Sequence, residues 1–154
     1  MSPFIKHLIL FFILNFGALA IGGFLMGEGP GGEWYQSLNQ APWTPPGWVF
    51  GAAWTTIMVC FSFYMAYLLK VDLSQKVILL FALQWILNVG WNPVFFDFHQ
   101  MLFGLIIIVA LTILVGYFLF TYKTALGAKT WLIAPYFIWL CIATSLNAFA
   151  LLNN

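Results

Sequence analysis

The sequence predicts an all-α integral membrane protein, a bundle of five transmembrane helices with a long first loop. Composition is the first indication: 64% of the 154 residues are hydrophobic and 6% are charged, whereas a soluble domain carries about 25% charged residues. The second is segmentation. Five uncharged stretches alternate with charged connections (8–27, 46–69, 77–96, 101–122 and 130–152). Each reaches about 20 residues or more, which at about 1.5 Å per residue crosses a hydrocarbon core of about 30 Å. The third is charge placement, since Lys6, Lys70, Lys76, Lys123 and Lys129 all fall in alternate connections. In lipid the backbone must satisfy its own hydrogen bonds, and runs this long do so as helices.

The first span follows Lys6, and its "ALA" at 18–20 imitates a secretory signal peptide. The apolar run continues through Met26, long enough to span, so a retained helix is expected. "GFLMG" at 23–27 has GxxxG spacing but lies at a helix end, where it says little about dimerisation. The first loop opens with "GEGPGG" and continues with "EWYQSLNQ", in which Trp34, Tyr35 and Leu38 can share one face of a short helix. Two readings stand side by side: a glycine-hinged lid over the bundle, and an interfacial aromatic belt.

"WTPPGW" at 43–48 fixes the junction to the second span. Proline suits a first helical turn, because its missing N–H has no intrahelical partner there and its φ is already helical. Beyond it Gly47, Gly51, Trp54, Met58, Phe61 and Met65 follow helical spacing. In the third span Gln84, Asn88, Trp91, Asn92 and Phe95 recur three and four apart. Polar groups at membrane depth are costly and should face the bundle interior, either toward a ligand or as bonds between helices. Pro93 predicts a kink late in this helix. The fourth span has Thr112 as almost its only polar residue and reads as lipid-facing or dimer-facing. The fifth aligns Tyr136, Trp139, Ala143 and Asn147 on one face, small Ala143 leaving room beside the Trp139 ring.

No Asp, Glu, Lys or Arg lies inside a span, so the parts of a proton relay or ion-coupled pump are missing. No nucleophile–base pair, phosphate loop or metal cluster is visible. His7 and His99 fall at opposite ends, and the near-neutral charge offers nothing to a nucleic acid. Cys60 and Cys141 lie in apolar runs and read as small buried hydrophobes. By the positive-inside rule the N-terminus is cytoplasmic and the C-terminus outside, the setting being a bacterial cell membrane. Flat rings converging with a few amides suit a large, planar, mostly apolar ligand.

Three segments, "WYQSLNQAPWTPPGWVFGAAW" (34–54), "QWILNVGWNPVFF" (84–96) and "PYFIWLCIATSLN" (135–147), carry a resemblance to the TspO family. These are the tryptophan-rich sensory proteins, also called translocator or peripheral benzodiazepine receptor proteins. The resemblance implies a single membrane domain over 1–154, assembled as a homodimer. It implies a receptor or transporter that takes porphyrins such as protoporphyrin IX and haem as ligands rather than obligatory cofactors, along with other hydrophobic small molecules. The implied pocket, under the first loop, involves Trp34, Tyr35, Pro45, Pro46, Trp54, Asn88, Trp91, Phe95, Trp139, Ala143 and Asn147; spacing alone adds Tyr136. Two alternatives follow: light-dependent porphyrin breakdown with Trp34 and Trp139 in redox roles, and a structural or regulatory membrane protein. The chain departs from the family at Gln40-Ala41, where a Lys-Pro pair is common, and in "LNAFALLNN", which lacks the Tyr and Lys/Arg of the sterol-associated motif.

Overall fold

A computed structural model describes residues 1–154. Helix α1 runs Pro3–Leu25, opened by Ser2, whose side chain accepts a hydrogen bond from the Ile5 N–H. The chain leaves α1 at Gly27, whose φ of +64° lies in the left-handed region that favours glycine. A tight turn at Gly29–Gly31 leads to the short α2, Glu33–Ser37. Helix α3 spans Gly47–Val71 and α4 spans Gln75–Asn92. After α5, Met101–Thr121, come the single-turn α6, Lys123–Leu126, a 3₁₀ segment Gly127–Leu132, and α7, Ala134–Asn153. Five of these helices are long and apolar enough to cross a membrane.

Two expected boundaries shift for local reasons. The first helix starts five residues earlier than the uncharged run, because Ser2 and Pro3 supply a cap and a first turn ahead of Lys6. The fifth starts at Ala134 rather than 130, because the preceding residues wind as the tighter 3₁₀ segment. Pro93 does not simply kink its helix. Residues Pro93–Asp97 widen into a π-helical turn, with Phe98 N–H donating to the Pro93 carbonyl at 2.8 Å and Gln100 N–H to Val94 at 2.9 Å. The wider turn absorbs the donor that proline lacks and extends the third span to Asp97.

The spanning helices form a closed circuit in which α1 packs between α3 and α4, α5 between α4 and α7, and α7 returns to α3. Polar bonds rivet the seams. Asn15 Nδ2 donates to Ser62 Oγ at 2.9 Å across α1 and α3, and Trp85 Nε1 donates to the Leu14 carbonyl at 2.8 Å across α1 and α4. The fourth span is not simply lipid-facing: α5 buries Gly104, Ile108, Leu111, Val115 and Phe118. Because α5 is apolar all round, its sequence carries no mark of which face is inside. Neither cysteine is buried, for Cys60 is half-buried and Cys141 is exposed on the apolar surface.

Candidate functional site

The loop-facing half of the bundle encloses three neighbouring spaces that share one wall, the half-buried ring of Phe50. The largest apolar one, about 240 Å³, lies between α1, α3 and α4 beneath the first loop. Trp54 and Phe50 come from α3, Asn88, Trp91 and Asn92 from α4, and Phe96 from the π-helical turn. Helix α1 contributes Ala18, Leu19 and Gly23, and Met26 follows at its C-terminal cap. Above it, under the loop, a polar chamber of about 300 Å³ is lined by Tyr35, Gln36, Gln40, Thr44, Pro45 and Pro46. The third space faces α7 and is a slot of about 10 Å³, at the lower limit of what one water molecule needs.

The slot is narrow because rings fill it. Trp91 stacks on Phe95, with centroids 5.3 Å apart and planes 14° from parallel. Phe95 meets Phe96 edge-on at 5.0 Å, and the buried Tyr35 ring meets Phe96 edge-on at 5.4 Å. Asn147, only 1% exposed, braces this stack: its Oδ1 accepts from Trp91 Nε1 at 3.0 Å and its Nδ2 donates to the Met101 carbonyl at 2.9 Å. One amide thus ties α4, α5 and α7 together beside the cavity. Gly104 on α5 permits this closeness, since a Cβ there would stand 3.1 Å from Phe95 and 3.2 Å from Asn147 Oδ1.

The twelve residues singled out from sequence therefore divide. Trp54, Asn88 and Trp91 line the apolar cavity, and Pro45 and Pro46 line the polar chamber with Tyr35. Phe95, Ala143 and Asn147 line the filled slot, which Tyr35 and Trp91 also border. Trp34 packs outside these spaces, its ring stacked on His99 at 4.0 Å and edge-on to Phe95 at 5.5 Å. Tyr136 is fully enclosed in the core, its hydroxyl donating to Gln84 Oε1 at 2.8 Å. Trp139 meets Phe50 edge-on at 5.4 Å and otherwise borders an outward groove between α3 and α7. The open volume thus sits against α1 rather than among the second, third and fifth spans together.

Sequence reasoning passed over Phe50, Phe96 and the α1 wall. Phe50 is one of 17 phenylalanines, and its place three residues after Gly47 and four before Trp54 is the signal that could have found it. Helix α1 shows no polar stripe toward the cavity; its signal there is smallness, at Gly22 and Gly23. A Cβ on Gly22 would lie 2.7 Å from Asn92 Nδ2, so glycine is what allows α1 to approach the cavity wall.

Asn88 sets the chemistry of the cavity. It is 5% exposed, its backbone carbonyl accepts from Asn92 Nδ2 at 3.0 Å, and its own side-chain amide has no hydrogen-bond partner in the chain. No side-chain polar atom is both enclosed and unpartnered, so this amide opens onto the adjoining space, where a partner would sit.

The loop over these spaces is held unevenly. At its far end Asn39 N–H donates to Asn154 Oδ1 at 2.9 Å, Asn39 Nδ2 to the Asn153 carbonyl at 3.0 Å, and Asn154 Nδ2 to the Asn39 carbonyl at 3.1 Å. Trp43 Nε1 adds a bond to Ser145 Oγ at 3.0 Å. At its near end α2 rests on aromatic contacts, chiefly Trp34 on His99 and Phe95.

Comparison with known proteins gives a consistent result. The model of the TspO/MBR family matches residues 9–152. A tryptophan-rich sensory protein of Cereibacter sphaeroides is 32% identical over 96% of this chain and 91% of its own length. The protein CrtK of Rhodobacter capsulatus is 31% identical over 75% of each chain. Human translocator protein is 29% identical over 86% of this chain and 80% of its own.

Proposed function

The chain belongs to the TspO/MBR family, and from that premise we propose that it is a membrane receptor or transporter for porphyrins and related flat, hydrophobic molecules. The observation that carries the reading is the Asn88 amide, which has no partner within the chain and lines the apolar cavity together with Trp54 and Trp91. Flat rings contribute stacking area, and a single fixed amide orients what lies between them.

The division into an apolar cavity and a polar chamber matches an amphipathic guest. A tetrapyrrole macrocycle lies against Trp54, Trp91 and Phe96, and its carboxylate edge reaches the chamber of Gln36, Gln40 and Thr44. No lysine stands there, so the donors are neutral amides, a hydroxyl and the free N–H groups at the start of α3. The cavity, about 240 Å³, is slightly below the roughly 300–1,000 Å³ of ordinary ligand sites. A macrocycle therefore requires Phe50 to swing aside and join the two spaces.

Protoporphyrin IX titrated into detergent-solubilised protein, read by tryptophan quenching, tests this. Trp54→Leu, Trp91→Leu and Asn88→Leu should each weaken binding about tenfold or more, the equivalent of about 1.4 kcal/mol lost per contact. Affinities unchanged in all three, with folding intact, would overturn the assignment.

A further inference from the structure

We propose that a groove between α5 and α7, at the lysine-bearing end of the bundle, is a binding site for one anionic phospholipid. The groove holds about 320 Å³ and is walled by Leu119, Phe120, Phe137 and Ile138, with Lys123 and Trp131 at its rim. One wall is set by Gly116, which lies behind it: a Cβ there would stand 3.1 Å from the Phe137 ring, so the missing side chain lets that ring lie close against α5. Phe120 meets Phe137 edge-on at 6.0 Å and is itself 60% exposed, leaving an apolar channel open to the bilayer.

Charge decides which lipid fits. This end carries all five lysines against one carboxylate, Asp72, and that carboxylate already accepts from the Tyr122 hydroxyl at 2.8 Å. Three of the lysines are turned elsewhere: Lys70 lies over Phe4, Lys76 over Tyr117 and Lys129 over Tyr67. Lys123 Nζ sits 5.9 Å from the Phe120 ring centroid, directly above the groove wall. An acyl chain in the channel thus places its headgroup phosphate beside an ammonium, and the 77% exposed Trp131 supplies an indole at headgroup depth. Basic pockets between spanning helices hold anionic headgroups for this reason. A zwitterionic headgroup brings its own cation and gains less.

The test uses the full chain in two sets of phosphatidylcholine nanodiscs, one doped with brominated phosphatidylglycerol and the other with brominated phosphatidylcholine at equal fraction. Quenching of Trp131 is isolated by subtracting the Trp131→Phe protein. Brominated phosphatidylglycerol should occupy the groove roughly fivefold more, the size of one lysine's attraction to an anionic lipid. Lys123→Gln should erase that preference and Lys123→Arg should keep it. Equal quenching by both lipids, a preference that survives Lys123→Gln, or a Trp131 shielded from both by a second copy of the chain would each overturn the proposal.

Discussion

Replacing Asn147 by leucine puts the brace beside the cavity to a quantitative test. The substitution removes an acceptor from Trp91 Nε1 and a donor to the Met101 carbonyl. An abandoned buried polar group costs about 1–3 kcal/mol in soluble proteins, while bonds between membrane helices average only about 0.6 kcal/mol. The two orphaned groups are not equivalent. Met101 begins α5, so its carbonyl keeps the intrahelical bond four residues on, whereas the Trp91 N–H has no other acceptor in the structure. Most of the loss therefore belongs to Trp91, and the whole should be about 1–2 kcal/mol. Reversible unfolding by SDS in mixed micelles measures it. Trp91→Phe keeps a ring but deletes the N–H, so in that background Asn147→Leu should cost about 1 kcal/mol less than in the wild type. Single and double variants that add within about 0.3 kcal/mol would refute the brace.

Further outcomes follow from the same geometry. Phe50→Ala should speed protoporphyrin association and Phe50→Trp should slow it, in stopped-flow quenching; identical rates would mean the ring is a fixed wall. Asn154→Ala deletes two of the four bonds at the loop's far end and should accelerate amide exchange across residues 33–43 without changing that of the α3 core. Gly22→Val drives a side chain into Asn92 and should destabilise the bundle by about 1–3 kcal/mol in the same SDS titration; a neutral result would show that α1 can shift freely.

The five spans were legible because a bilayer imposes a length on every apolar run, and the third and fifth spans because buried amides are expensive enough to mark an inward face. Asn88, Trp91 and Asn147 were found by that logic. The α1 wall was not, since a helix apolar on all sides carries no periodic signal and records its inner face only as small residues. The position of the open volume depends on how Tyr35, Phe95 and Phe96 fill the space toward α7, and spacing along one helix cannot report how rings from three segments share a volume. The loop's attachment to α7 was equally hidden, because Asn39 and Asn154 are 115 positions apart and an asparagine near a terminus names no partner.

That attachment makes the two ends of the loop unequal. Its far end is stitched to α7 by directional bonds whose rupture strands polar groups, while its near end leans on stacked rings that slide apart in small steps. The loop is continuous with α1 through Gly27, so the contacts of Trp34 with His99 and Phe95 are the part of its cover that can separate without breaking a hydrogen bond. Under the proposed function an arriving molecule meets that ring-held edge first, and Trp34 and His99, rather than the residues next to α7, exert the first discrimination.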